Sequence, residues 1–181
     1  MTRPIHVEAF LQLPDRSPHL ELIYGFLRPG LPLSPRHAPL VERVRAPLAD
    51  HLSTHHRGDV LAAPLDVVVH PEDGIVLHPP LVVVLADSRA RIRSPTCIWG
   101  APDIVVEVLT PATARRIRCS KLRWYRISGV KECWMFDTRH KRVEVLDFRA
   151  GNTLPHIFSG RRSLQSQVLP TFCLEVGRLF R

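Results

Sequence analysis

Residues 100–137, GAPDIVVEVLTPATARRIRCSKLRWYRISGVKECWMFD, hold the side chains with the most chemical scope. Strand alternation places Asp103, Val105, Glu107 and Leu109 on one face and Ile104, Val106 and Val108 on the other. Glu107 therefore stands in a branched apolar run where burial is expected. A carboxylate there is costly to desolvate unless it is hydrogen-bonded, paired with a cation or bound to a metal. Two readings stay open on the residues alone, structural pairing with one of the many arginines and a functional acid. Lys121 follows on a basic segment with Arg115, Arg116, Arg118 and Arg123. Such a run suits either a solvated helix face or contact with phosphate. Trp124 and Tyr125 offer ring faces for bases, although their spacing among apolar neighbours suits packing, and Trp134, inside an apolar strand, reads as core.

The elements that must position these groups follow from pattern. Val7–Leu11 reads as a short opening helix ended by Pro14 and Asp15, and Leu20–Leu27 as a strand that turns at Gly25 into a second extended piece. From His37 to about His55, Leu40, Val41, Val44, Leu48 and Leu52 recur at helical spacing, predicting a helix packed by one face. Branched apolar segments at 59–69, 75–85 and 101–109 predict the core sheet, separated by the turn Pro71-Glu72-Asp73-Gly74 and by a polar stretch at 87–96. Thr110-Pro111-Ala112-Thr113 offers helix-start chemistry, and Gly129 closes the helix that carries Lys121. Two further strands, 132–137 and 142–148, form a hairpin around 138–141. Strands, a central helix and strands again predict one α+β domain over residues 1–181, a mixed sheet flanked by helices.

The order G-x-P-D-h-V-V-E-V-L-[ST]-P-x-T, K-x-x-x-Y and G-V-x-E-x-W-x-x-D resembles the Uma-two family of bacterial restriction-endonuclease-like proteins. That family is part of the PD-(D/E)XK nuclease superfamily. The match is carried by Gly100, Pro102, Asp103, Glu107, Val108, Leu109, Pro111, Thr113, Lys121, Tyr125, Gly129, Val130, Glu132, Trp134 and Asp137. Upstream, Glu21-Leu22-Ile23-Tyr24-Gly25, Ser34-Pro35-Arg36-His37 and Ala63-Pro64-Leu65-Asp66-Val67 fit as well, and so does the closing Leu179-Phe180, so the resemblance spans essentially the whole chain. It implies a bent mixed sheet and magnesium-dependent phosphodiester hydrolysis. Magnesium takes carboxylate and carbonyl oxygens, activates a water and screens the phosphate. By position, the resemblance makes Glu107 the second acid, Glu21 the accessory acid, Lys121 the lysine and the Val108 carbonyl a further ligand.

The departures matter as much. Where the family has Pro-Asp before an apolar strand, this chain reads His78-Pro79-Pro80-Leu81, so Pro80 stands in place of the first metal-binding aspartate. Ile117 and Phe26 also occupy positions that are often acidic. With the first acid missing, Lys121 suits pairing with Glu107 or contact with phosphate as well as it suits catalysis. Asp103 does not fill the vacancy, because it lies four residues before Glu107 on the same strand, roughly 13 Å along its axis. His78 offers an imidazole, which suits zinc, manganese or iron better than magnesium. Glu72 and Asp73 read as turn residues. His51 and His55 have the i, i+4 spacing of a metal pair, but without a carboxylate motif they read as a helix end.

Lys plus Arg number 25 against 17 acids, a formal charge of +8, and all but three of the cations are arginine. This raises the prospect of a nucleic-acid partner, DNA by the resemblance, and also serves solubility. The four cysteines lie 22, 14 and 40 residues apart with no C-x-x-C pair, which argues against a zinc ribbon or redox dithiol. No run approaches the roughly 18 apolar residues of a membrane span. With no secretory pattern at the start either, the expected location is the cytoplasm. Related domains often pair, so a homodimer is an available assembly. The expected function is that of an endonuclease fold with a damaged site. It either keeps weak hydrolysis at one magnesium or works as an inactive nucleic-acid-binding or protein-interaction domain.

Overall fold

The computed structural model describes residues 3–14, 20–30, 37–55, 57–151 and 154–181. The chain opens with α1 (Val7–Leu11), β1 (Leu20–Ile23), β2 (Phe26–Pro29) and α2 (Ala38–Thr54). Then come β3 (Gly58–Ala62), β4 (Asp66–His70), β5 (Ile75–Leu77), β6 (Leu81–Leu85), β7 (Arg91–Ser94), β8 (Cys97–Trp99) and β9 (Ile104–Leu109). A helical segment follows, made of α3 (Ala114–Arg116), a π-helical turn (Ile117–Lys121) and α4 (Leu122–Ser128). The chain ends with β10 (Glu132–Asp137), β11 (Arg142–Asp147), β12 (His156–Ser159), β13 (Ser163–Leu164), β14 (Leu174–Glu175) and α5 (Val176–Leu179).

Prolines shape the sheets. The runs 59–69 and 75–85, expected as two continuous strands, pair as a long antiparallel hairpin that breaks at Pro64 and at Pro79-Pro80. A proline lacks the N–H a central strand needs, so each run is cut there. Beyond the cut, β4 and β5 lie in a first six-stranded sheet, ordered β2-β1-β5-β4-β8-β7, while β3 and β6 lie in a second, ordered β12-β11-β10-β9-β6-β3. The amide of Ala63 donates to the Pro80 carbonyl at 2.9 Å and ties the two breaks together at the corner. The single core sheet expected from these segments is thus two sheets. Both are mixed: β10 runs parallel to β9 and β4 parallel to β8, and their other neighbours are antiparallel.

Alternation sorts side chains into layers. Leu81, Val83, Ile104, Val106 and Val108 face α2, whose Leu40, Val41, Val44, Leu48 and Leu52 cover that side of the second sheet. The intervening Val82, Val84, Val105 and Leu109 face a central layer shared with Val67, Ile75 and Leu77 of the first sheet and with Ile117, Trp124 and Tyr125. On the outer face of the first sheet, Leu22, Val68 and Val76 pack under α1. Leu22 faces outward, so its neighbour Glu21 faces the central layer. Glu107 faces the same layer from the second sheet, beside Val105 and Leu109.

Elsewhere the expected elements hold with shifted ends. The long helix begins at Ala38 with Pro39 in its first turn, where the missing N–H costs nothing. Gly129 ends the Lys121 helix in the left-handed region, at φ 94°. The stretch 87–96, expected as a polar separator, instead contains β7. Thr113 does not cap its helix; its hydroxyl donates to the Val108 carbonyl at 3.0 Å. Asp15 and the Ser34-Pro35-Arg36 segment lie outside the described residues.

Candidate active site

Three elements converge on the central layer. Glu21 comes from β1, Glu107 from β9 and Lys121 from the last position of the π-helical turn. The Lys121 ammonium lies 2.9 Å from Glu107 Oε1 and 3.1 Å from Glu21 Oε1, and all three residues are at most 2% exposed. The widened turn matters here, because one extra residue in the helix changes which side chain meets the layer, and such turns recur at functional sites. One helical turn on, the Tyr125 hydroxyl donates to Glu107 Oε1 at 2.6 Å. Arg116 closes the other end, giving Nη2 to Glu21 Oε2 at 2.7 Å and Nη1 to the Pro29 carbonyl. The result is a chain of alternating charge: Arg116, Glu21, Lys121, Glu107, with Tyr125 as the final donor.

The loop that crosses between the sheets completes the enclosure. The His78 amide donates to Glu21 Oε1 at 3.2 Å, and its carbonyl accepts from Lys121 at 3.3 Å. Its ring meets Asp66 Oδ1 through Nε2 at 2.7 Å. Pro80, two residues on, is buried and brings no side-chain oxygen to this corner.

Electrostatics follow from burial and pairing. Burial pushes the Glu107 carboxyl up, against the pull of Lys121 and of the Tyr125 hydroxyl. Burial alone would lower the Lys121 ammonium, but Glu107 and Glu21 outweigh it and hold the group above its usual range. Because the lysine answers to two carboxylates at once, the cluster is best described as an ammonium shared between them. Tyr125 is pushed well up by burial and by Glu107, so it stays a neutral donor.

The other expected site residues divide. Arg118 gives Nη2 to both oxygens of Glu144, at 2.9 and 2.8 Å, and Arg142 reaches the same acid at 2.8 Å. Arg116 and Arg118, expected as phosphate contacts, are therefore engaged with buried acids, while Arg115 and Arg123 remain exposed. Asp103 pairs with Lys131 at 2.7 Å and accepts the Leu85 amide at 2.8 Å, a structural role far from Lys121 along its strand. Ile117 fills the central core. His51 and His55 lie with ring centroids 4.4 Å apart and planes tilted by 38°, and His51 packs edge-on against Phe172. Trp124 and Trp134 are buried, the latter giving its indole N–H to Glu132 at 2.8 Å. Sequence reasoning missed Tyr125 as a partner of Glu107, Arg116 as a partner of Glu21, and the Asp66–His78 pair. The first was within reach, since Lys121 and Tyr125 stand at i, i+4 on one helix face.

A divalent ion fits this donor set poorly. Both candidate carboxylates already answer to cations of the chain, the Val108 carbonyl accepts Thr113, and Pro80 supplies nothing. Among the described residues no group of three or more His, Cys, Asp or Glu side chains is placed to hold a metal. The magnesium expected at Glu107, Glu21 and Val108 therefore lacks a ligand shell in this arrangement.

Over residues 7–177 the sequence matches the Uma2 family, described as "putative restriction endonuclease". The chain belongs to the Uma2 family. Among solved structures, a protein described as a "putative nuclease belonging to DUF820" from Anabaena variabilis ATCC 29413 superposes with a TM-score of 0.79 at 17% identity, covering 98% of each chain. At that identity the likeness is one of fold, and it agrees with the two-sheet architecture of this Uma2 chain. No curated protein matches it. Among its described residues no helix is long and apolar enough to cross a membrane.

Proposed function

We propose that this Uma2 protein keeps the nuclease fold without the hydrolytic step and acts by holding nucleic acid. The observation that supports this reading is the position of Lys121 Nζ, 2.9 Å from Glu107 and 3.1 Å from Glu21 in a layer closed to solvent. Metal-assisted hydrolysis needs carboxylate oxygens free for the ion, an open coordination position for water and room for a phosphate. Here an ammonium takes the oxygens, and Pro80 replaces the acid that would compete with it. Residual hydrolysis through Glu107, Glu21 and the Val108 carbonyl, with Lys121 assisting, would first require Lys121 to leave both carboxylates. Nucleic acid remains the partner class that suits a nuclease-family chain with a formal charge of +8.

Two measurements test this. Isothermal titration of the native chain with manganese is expected to give no saturable binding. Binding that is present in the native chain and lost in Glu107→Gln would overturn the reading and restore a metal site. Nucleic-acid affinity should fall steeply with salt, since phosphate contacts release counterions, and should not depend specifically on magnesium. An absent or salt-insensitive interaction would instead favour a protein partner.

A further inference from the structure

Three positive charges gather at one edge of the first sheet, away from the ion cluster. Residues 88–99 contain Arg89, Arg91 and Arg93 and no Asp or Glu. They run through the β7–β8 hairpin, and among the described residues β7 is the last strand of its sheet, with no strand on its other side. All three arginines are exposed. The ion pairs among the described residues engage other cations, including Arg116, Arg118, Lys121, Lys131, Arg142 and Arg149. Among the described residues none of the three hairpin arginines is ion-paired, although Asp87 lies two residues before Arg89, whereas Arg116 and Arg118, half of the arginines expected to contact phosphate on the helix, are paired with buried acids.

The hairpin is also ordered in a way a merely solvated run is not. Arg91 stands opposite Trp99 in the strand register, so these two share a face and Ile92, opposite Ile98, turns to the other, while the register shifts between Ile92 and Ser94, at Arg93. The Arg93 guanidinium carbon lies over the Trp99 ring, 3.8 Å from its centroid, a cation–π contact that places the charge on the indole. Arg91 Nη1 donates to the carbonyls of Ser88, Arg89 and Ala90 at 2.9, 3.3 and 3.2 Å, fixing its charge over the preceding turn. Ordering these side chains beforehand lowers the entropy cost of binding. Arginine's planar fork matches phosphate oxygens better than a lysine's point charge does.

We infer that the β7–β8 hairpin is a docking surface for the phosphodiester backbone of nucleic acid, with Arg89, Arg91 and Arg93 as its contacts. This rests on the proposed nucleic-acid role and deepens it by moving the contact off the Lys121 helix. The hairpin lies four strands from β1, roughly 19 Å across the sheet, so it works whether or not the buried cluster is reactive.

The test is fluorescence anisotropy of the full chain with a short labelled DNA duplex across a salt series. Arg89→Gln/Arg91→Gln/Arg93→Gln is compared with Arg115→Gln/Arg123→Gln. Because Arg91 also closes its turn, Arg89→Gln/Arg93→Gln is measured alongside. Both hairpin variants should weaken binding by about tenfold or more at low salt and flatten the log–log salt slope by roughly 0.9 for each phosphate no longer neutralised. The helix variant should keep most of the affinity. Unchanged affinity and slope in the hairpin variants, with the native chain binding, would overturn the docking surface and leave the nucleic-acid role standing. No binding by the native chain would overturn that role and this inference together. Displacement of the duplex by polyglutamate as readily as by unlabelled duplex would assign the surface to an acidic protein instead.

Discussion

Glu107 Oε1 receives two donors, Lys121 Nζ at 2.9 Å and Tyr125 Oη at 2.6 Å, in a site that solvent does not reach. Desolvating the charges is costly, and their attraction offsets that cost only while every partner is present. Removing one partner is therefore far worse than removing the set. Lys121→Ala leaves two buried carboxylates facing each other and should destabilise the fold by about 3–5 kcal/mol in urea unfolding. Glu21→Gln/Glu107→Gln/Lys121→Met should recover most of that loss, and a triple variant as unstable as Lys121→Ala would disprove the account. The ammonium is held above its ordinary 10.5, so its stabilisation is complete below that value and is lost only as pH rises through its folded pKa. Lys121 therefore adds no pH dependence near neutrality. Glu107 was legible in the sequence as a buried acid because its apolar strand neighbours are local. Pairing with Lys121 was one open reading of the sequence, but Tyr125 as a second donor and Arg116 on Glu21 were not legible, because contacts across sheets leave no local pattern.

Among the elements, α2 shows what periodicity can and cannot tell. Its apolar stripe at Leu40, Val41, Val44, Leu48 and Leu52 is legible from spacing, and all five pack on the second sheet. The state of His51 is not, since it depends on Phe172 from a distant loop and on His55 and Arg57 beside it. Burial, then His55 and Arg57, lower the His51 pKa below 6.5, and Asp50 opposes them weakly. The sign follows: the unfolded chain binds the proton first, so stability is complete above 6.5 and falls as pH drops through the folded value. His51→Gln should flatten the decline of the unfolding midpoint below pH 6.5, and an identical acid limb in native and variant would exclude His51 as a contributor. The helical segment after β9 was legible too, from Thr113 to Gly129, but its π-helical turn was not. That turn is a response to packing, setting Lys121 and Tyr125 against Glu107 while Ile117 enters the core.

At the scale of the whole molecule, the hairpin bent at Pro64 and Pro79-Pro80 places two sheets around one charged layer, and the charge is balanced from within. On the proposed reading, that layer calls for no bound ion. Because a ligand stabilises only what it binds, millimolar manganese or magnesium should leave the thermal midpoint of the native chain unchanged, as should a chelator. A metal-dependent rise that Glu107→Gln abolishes would show that a site forms after all. Restoring the acid by Pro80→Asp would add a third buried carboxylate beside Lys121, and here a metal-dependent rise in the midpoint is expected.

Sequence alone determined the parts that depend on neighbours in the chain. These are the alternation that buries Glu107, the stripe of α2, the glycine stop at Gly129 and the vacancy at Pro80. The tertiary structure decided how the prolines split two runs between two sheets and which cation meets which acid. Arg116 is given to Glu21, Arg118 to Glu144 and Lys121 to both Glu21 and Glu107, leaving the hairpin arginines without an acid among the described residues. The physical reason is range. Propensity and periodicity act over a few residues, whereas a buried charge takes its partner from whatever the folded layers bring within about 3 Å, however far away in the chain.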